Sequence, residues 1–374
     1  MTVYVTENKS VNIRKPEIQT AKFDDAIATV NTKFNIPALT DMLLQFNQTH
    51  AALFQAKRAD LYQTFHIPKS SGGLRRIDAP SPEISEALKN LRIMFESHFV
   101  PYAHNSAYAY VRNRSTVDAV KRHQENQSRW FLKLDFSNFF GNSTYEFVVY
   151  SLSQIYPFNE IIKQKDGKLA LEQALELCFL NGSLPQGSPI SPYLTNIMMI
   201  PIDCEIDETL KRMNKSGRQF VYTRYADDML ISCTEGFDIA RLEADLNRIL
   251  IRHRAPFAIN PKKTRYGSNA GKNWNLGVML NKDNKITIGH QKKRQFKAML
   301  DNYIRSHDNW DLHDVQILSG LKNYYNMVEP DYISHTITAF NAKYQVNINQ
   351  MMHDDLSLMG KIDSCFMLDA AVLC

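Results

Sequence analysis

The sequence predicts an α+β fold, and three observations carry that expectation. A short apolar segment, WFLKLD at Trp130–Asp135, has strand character and ends in a carboxylate. Two further apolar segments, Phe220–Tyr225 and residues 229–233, flank a tight acidic turn and read as a β-hairpin. Segments with apolar residues at helical spacing fill the intervals and run on to the end of the chain.

Taken in order, residues up to about 33 are polar and weakly patterned and predict a loosely docked arm. Leu39, Leu43 and Phe46, then Leu53 and Leu61, recur at helical spacing, so residues 36–65 predict two helices. The basic, turn-rich stretch HIPKSSGGLRRIDAPSP predicts a hairpin or loop, and residues 85–99 another helix. Asn142-Ser143-Thr144 supplies a helix cap, residues 169–180 a helix, and residues 189–213 one long helix. Residues 237–253 are amphipathic. Residues 274–280 and 286–288 predict a second hairpin around Asp283-Asn284, and from His290 onward the pattern is helical.

A chain of 374 residues can build one large core or two to three subdomains. With 44% apolar and 22% charged residues, wholesale disorder is excluded. The net charge of +5 is modest, but Lys and Arg gather at Arg112–Arg114, Lys121–Arg122, Lys262–Arg265 and Lys292–Arg294, a pattern that fits a channel for a polyanion. The five cysteines form no CxxC pair and are odd in number, which argues for a reducing compartment over a disulfide framework or structural zinc. The N-terminus lacks the apolar core of a signal peptide, and no apolar run approaches a membrane span. The expectation is a cytoplasmic enzyme with no membrane partner.

The chemistry centres on Tyr225-Ala226-Asp227-Asp228 and on Asp135, followed by Phe136-Ser137-Asn138-Phe139-Phe140. A turn between strands lets two adjacent carboxylates leave a sheet edge together. Asp is common in turns for conformational reasons alone, so the pair gains meaning only from its company. Phosphoryl transfer from a nucleotide needs two divalent cations held by carboxylates, and Mg²⁺ asks for few protein oxygens because it keeps several waters. Between the two acidic sites, LPQGSPISP opens a helix: Gly187 permits close backbone approach and Gln186 offers an amide to an incoming nucleotide. Upstream, Lys69, Arg75 and Arg76 border a Gly-Gly loop and suit a triphosphate.

At these residues the sequence resembles a known family. FLKLDFSNFF, LPQGSPISPYLTN and YADD, in this order, resemble the palm motifs of reverse transcriptases, and KSSGGLRRIDAP their fingers motif. NPKKT (Asn260 to Thr264) is similar to the motif whose Lys protonates pyrophosphate, and NLGVML resembles the primer-grip hairpin. The likeness covers residues 66–290 and extends more weakly to LSGLKNYYNMVEPDY, which looks like a thumb.

The resemblance implies a right-hand polymerase fold: an N-terminal helical extension (1–65), fingers and an antiparallel palm (66–290), and an α-helical thumb (291–374). It implies catalytic Asp135, Asp227, Asp228 and Lys263, with two Mg²⁺ ions, or Mn²⁺, at Asp135, Phe136, Asp227 and Asp228. It implies dNTP contacts from Lys69, Arg75, Arg76, Phe136, Phe140, Gln186 and Gly187, and primer–template contacts from Gly277, Lys293 and Arg294. In this family the ring five positions after the first catalytic Asp lies under the incoming sugar. Here it is Phe140, whose bulk would exclude a 2′-hydroxyl and so favour DNA synthesis. The basic first thumb helix, with His290, Lys292, Lys293, Arg294 and Lys297, would meet duplex phosphates, while Phe296, Leu300 and Tyr303 bury its other face against the palm.

Within the family, the chain most resembles the prokaryotic retron and defence-associated or abortive-infection enzymes, with group II intron enzymes next. Ala119-Val120-Lys121-Arg122-His123 resembles the retron NAxxH element without its Asn, and at Asn275-Leu276-Gly277 only the Gly of the retron VTG triplet is present. No maturase-like zinc or endonuclease segment follows the thumb. The expected role is a stand-alone bacterial antiviral enzyme that uses an RNA template and dNTPs, makes DNA, and works with a non-coding RNA or a partner defence protein. Two alternatives stay open: an untemplated or protein-primed polymerase, and a catalytically idle RNA-binding scaffold. The three retained carboxylates argue against the scaffold, because their mutual repulsion is relieved only by cations.

Overall fold

The structure, a computed structural model, describes residues 34–69, 72–100, 103–214, 217–270 and 274–362. The expected N-terminal arm lies outside the described residues, as do Cys365 and Cys374. The chain divides into two compact units. One holds residues through Ser115 with Ser128–Gly267, and the other Thr116–Gln127 with the chain from Ser268 onward.

In the first unit, the helix Ile36–Thr49 starts with the Asn35 side chain accepting from the Ala38 N–H at 3.2 Å and with Pro37 in its first turn. The helical pattern of residues 36–65 then fails at its end. After a short helix, Ala51–Gln55, the chain enters strand β1 (Tyr62–Pro68), antiparallel to β2 (Leu74–Pro80). Cross-strand pairing here outweighs a local period carried by only two residues, Leu53 and Leu61. Gly72 and Gly73, with φ of 87° and 83°, make the left-handed turn at the hairpin tip. The next helix, Pro82–Met94, runs into one π-helical turn, Phe95–Phe99, and buries Ile84, Leu88, Leu91, Phe95 and Phe99.

Strands β3 (Trp130–Asp135), β4 (Phe220–Tyr225), β5 (Asp228–Cys233) and β6 (Arg265–Ser268) form a sheet in the order β4-β5-β3-β6. Leu132, Leu134, Phe220, Tyr222, Met229 and Ile231 lie on one face of it. They join a core with Leu194, Ile197, Ile202, Ile206, Leu242 and Leu246 from the helices Ser191–Met198, Ile200–Met213 and Ile239–Arg252. The single long helix expected over residues 189–213 is two. Pro201 has no N–H for the preceding turn and its ring crowds the backbone there, so the chain breaks at Met199. Thr144 caps Tyr145–Leu152 by accepting from the Phe147 N–H, as its position predicts.

The second unit carries β7 (Trp274–Asn275), β8 (Val278–Leu280) and β9 (Ile286–Thr287), an antiparallel three-stranded sheet. Residues 274–280 are therefore two strands, since Leu276 and Gly277 take φ of 50° and 83° and turn the chain back. The expected hairpin around Asp283-Asn284 is present, and Asn284 exchanges hydrogen bonds of 2.7 and 2.9 Å with Gln124. That exchange ties the helix Thr116–Glu125 to this unit. Helices His290–Arg305, Leu312–Val328, Pro330–Tyr344 and Ile348–Ile362 complete it. The stripe Phe296, Leu300 and Tyr303 is buried, but against the unit's own helices: Phe296 meets Tyr325 edge-on and the Tyr303 hydroxyl donates to Asp355. Among the described residues, no helix is long and apolar enough to cross a membrane.

Candidate active site

Register builds the site. Tyr225 and Asp228 are the last pair of the β4–β5 hairpin, so Ala226 and Asp227 form its turn, with Ala226 in the left-handed region at φ 56°. Asp135, the last residue of β3, is the partner of Asp228 across β3–β5. Partners in such ladders have Cα atoms about 4.5–5.5 Å apart. The Phe136 N–H donates to the Asp227 carbonyl at 3.2 Å and carries the contact one residue past the strand end. Two carboxylates from the hairpin and one from its neighbour thus share one end of the sheet.

Their crowding is legible in their protonation. Burial, then the negative charges of Asp227 and Asp135, pushes Asp228 up to about 7. Asp227 is raised as well, chiefly by burial. Lys263 supplies the countercharge, donating to both Asp135 oxygens at 3.0 and 2.8 Å, and that contact raises its own pKa. It reaches there because the Asn260 N–H donates to the Asp135 carbonyl at 2.8 Å, while the Asn260 carbonyl holds the Lys263 and Thr264 N–H groups. The donor set is all oxygen and of one sign, which fits a hard divalent cation. Among the described residues, however, no three carboxylate, imidazole or thiol groups are already gathered closely enough to hold a metal ion. The fit is one of donor type and placement on the sheet.

A buried network beneath the turn escaped the sequence reading. Arg224 and Asp203 are both fully buried and form a bidentate pair, with the closest contact 2.7 Å. The Tyr222 hydroxyl donates to Asp203 at 2.8 Å. The third guanidinium nitrogen of Arg224, Nη1, donates to the Ala226 carbonyl at 3.1 Å and to Asn196 Oδ1 at 3.3 Å. The turn is thereby hung from two helices. The signal was present: Arg224 falls on the core-facing parity of FVYTRY, and Asp203 on the apolar stripe of Ile200, Ile206 and Leu210. Charges at two core positions predict each other as partners.

The hairpin β1–β2 is joined to the loop before Ser191, because the Asp78 N–H donates to the Gln186 carbonyl at 2.7 Å. Gly187, at φ 116°, is required by that contact. A Cβ there would stand 2.8 Å from the Asp78 carbonyl oxygen, so the close approach read from the sequence is to this backbone. The half-buried Gln186 side chain remains available to a ligand. The two arginines diverge: Arg76 pairs with Asp78 at 2.9 Å, whereas the charge of Arg75 reaches Asp227. Lys69 is exposed at the hairpin tip. Phe136 and Phe139 are core residues, stacked at 5.7 Å and packed on Phe257, so Phe136 has only its main chain to offer a ligand. Phe140 stays partly exposed. Tyr110, which the sequence reading passed over, also belongs here: the charge of Asp227 reaches its hydroxyl.

Several cations read as a polyanion channel are engaged within the protein. Arg114 donates to the His104 and Ala107 carbonyls, and Lys292 to the Gly277 carbonyl at 2.8 Å. Lys293, expected to meet primer–template, pairs with Glu329 at 2.6 Å and lies over the Tyr332 ring. Arg294 and Lys297 are exposed, the Lys297 ammonium lying 5.7 Å from the centre of the Tyr332 ring, and Gly277 is exposed at the β7–β8 turn.

A family model described as "Reverse transcriptase (RNA-dependent DNA polymerase)" matches residues 67–299. The retron Ec83 reverse transcriptase of Escherichia coli is 29% identical over 75% of this chain and 87% of its own length. The retron Ec73 reverse transcriptase of the same organism is 28% identical over 74% and 85%. Among solved structures, the telomerase of Candida albicans in complex with a fragment of telomeric RNA aligns with a TM-score of 0.43 at 11% identity. That alignment covers 79% of this chain and 58% of the telomerase, so the chain spans under two thirds of it.

Proposed function

Because the chain belongs to the reverse transcriptase (RNA-dependent DNA polymerase) family, we propose that it copies a structured RNA partner into DNA by two-metal nucleotidyl transfer, in the service of antiviral defence. It is an RNA-directed DNA polymerase of the prokaryotic retron type, with the α+β fold of right-hand polymerases. The observation that carries the mechanism is the register that sets Asp135 against Asp228 beside Asp227.

Asp135, Asp227 and Asp228 would hold Mg²⁺ or Mn²⁺, with the Phe136 main chain adjacent. Two such ions supply activation of the primer 3′-hydroxyl and neutralisation of the departing pyrophosphate. The raised pKa of Lys263 keeps it charged, the state needed to give a proton to pyrophosphate. Arg75, Lys69 and the Gln186 amide are the free polar groups around the triphosphate and base. Arg76 acts through Asp78 by stiffening the hairpin.

The retron likeness supports the RNA partner, although the Asn of NAxxH and two residues of VTG are absent, and the defence role rests on the motif resemblance to defence-associated enzymes. The test is primer extension with dNTPs and Mg²⁺ on RNA that co-purifies with the protein, followed by sequencing of the product. DNA complementary to that RNA is the expected result. Product unrelated to any added template would replace this reading with untemplated synthesis, and no product at all would favour the scaffold.

Phe140→Ala should admit ribonucleotides. Removing the partly exposed ring opens volume for a 2′-hydroxyl and should lower dNTP-over-rNTP discrimination by about 10- to 200-fold. Phe139→Ala should instead lower stability, since Phe139 is 3% exposed and packed on Phe136 and Phe257. Discrimination that survives Phe140→Ala and collapses in Phe139→Ala would assign the wrong ring.

Duplex affinity across a salt series should separate the thumb cations. The double variant Arg294→Ala, Lys297→Ala should flatten the slope of log affinity against log salt by about 1 to 2, since each lost phosphate contact releases fewer counterions. Lys293→Ala should leave the slope alone and destabilise the second unit, because it removes the cation paired with the partly buried Glu329. Glu329 also accepts from the Thr287 hydroxyl and the Ile288 N–H at 2.8 Å each. A slope that responds to Lys293 only would refute this division.

A further inference from the structure

From the placement of one exposed ring at the catalytic end of the sheet, we infer that Tyr110 is the platform on which a base of the nascent base pair stacks. This rests on the polymerase reading above and adds to it a residue that binds the substrate's base.

The segment leading to Tyr110 is built into the first unit. Ala103, His104, Ser106, Ala107, Tyr108 and Ala109 are all buried. Ala107 bridges Arg224 in parallel, the Arg224 N–H donates to the Ser106 carbonyl at 2.6 Å, and the Tyr108 N–H donates to the Arg224 carbonyl at 2.8 Å. The segment therefore runs beside β4 and reaches its edge one residue before Tyr225. Asn196 Nδ2 holds the Ala109 carbonyl at 2.8 Å, and Arg114 closes the loop from behind, its guanidinium 5.6 Å from the centre of the Tyr108 ring.

At Tyr110 this buried path turns outward. The ring is 54% exposed and its backbone is left-handed at φ 59°, a region that a residue bearing a large side chain enters only when its surroundings force it. Neither feature serves the core. An apolar ring left in water forgoes burial, and a glycine or asparagine would make the same turn with less strain.

What the arrangement does provide is a fixed aromatic face beside the carboxylates. The Ala109 carbonyl is held by the Asn196 side chain whose Oδ1 accepts from Arg224, and the same Arg224 nitrogen donates to the Ala226 carbonyl, so Tyr110 follows directly on a residue tied to the base of the Asp227 turn. Beside that turn the base of an incoming nucleotide would meet its template partner. Aromatic faces hold bases of any identity by stacking, which suits an enzyme that must accept all four.

The test uses RNA template and a dideoxy-terminated DNA primer, which permits binding without chemistry, with 2-aminopurine at the templating position in one arm and a fluorescent dNTP analogue in the other. Wild type and Tyr110→Phe should quench the probe, whereas Tyr110→Leu and Tyr110→Ala should not. The arm that responds identifies which of the two bases stacks. With an ordinary primer, Tyr110→Ala should raise the KM for dNTP by about 5- to 150-fold, the range expected for one stacked base. Tyr110→Phe should match wild type. A wild type that extends primers while Tyr110→Ala keeps both its quenching and its KM overturns the stacking role alone. A wild type that neither binds nor extends primer–template overturns the polymerase reading and this inference with it.

Discussion

Asp227→Asn and Asp135→Asn should each abolish nucleotide incorporation, by about 10³-fold or more, while leaving the protein folded. Each change removes a charge at nearly constant volume from the end of a sheet whose backbone pairing does not depend on it. At Asp227 the lost charge is one that repels Asp228, so thermal stability should hold or rise. Near-normal incorporation by either folded variant would sink the site.

Proton linkage offers a second readout that does not depend on turnover. Asp228 stands at about 7, above its ordinary 3.8, so the folded protein binds that proton more tightly than the unfolded chain. Without divalent cation, stability should therefore fall as pH rises from about 4 through about 7. Mg²⁺ competes with that proton, so its gain in thermal midpoint should be larger at pH 8 than at pH 6. In Asp228→Asn the difference between the two pH values should vanish. Equal Mg²⁺ effects at both pH values in the wild type would place the cation elsewhere.

Asp203→Leu should fail to give a stable protein. It strands the fully buried Arg224 guanidinium, and breaking such a pair from one side costs about 3–5 kcal/mol, against a total stability of about 5–15 kcal/mol. Pairing it with Arg224→Met should recover part of that stability, because two apolar side chains of similar volume satisfy one another while the buried Tyr222 hydroxyl still lacks its Asp203 acceptor. Activity should not follow. The double variant still lacks the donor that holds the Ala226 carbonyl, so the catalytic turn loses its tether and incorporation should drop about 10- to 100-fold in a folded protein. A double variant as active as wild type would make the network structural only. One that stays unfolded would show that the pair carries more stability than its charges account for.

The candidate catalytic carboxylates could be named from the sequence because the features that mark them are local. Two apolar strands around a two-residue turn specify a hairpin, and a strand that ends in Asp specifies where a third carboxylate sits. Phe139 and Phe140 differ in exposure because they open a short helix, Phe139–Asn142, where consecutive side chains point about 100° apart, so that one is buried and the other partly exposed. Other local patterns misled. The period across residues 36–65 was helical, yet β2 captured Tyr62–Pro68 as its partner, and Pro201 divided a helix whose apolar spacing runs through it.

The sequence by itself determined the family and named the candidate carboxylates, because each is written within a few adjacent residues. Tertiary structure alone decided which charges are paired within the protein. Arg76, Lys263, Lys293 and Arg114 look in the sequence like Arg75, Arg294 and Lys297. Each of the first four is bound by an acceptor that the fold delivers to it: Asp78, Asp135, Glu329 and the His104 and Ala107 carbonyls. A charge is neutralised by whatever stands within about 4 Å, and most such neighbours are set by packing, which composition and spacing along the chain do not encode.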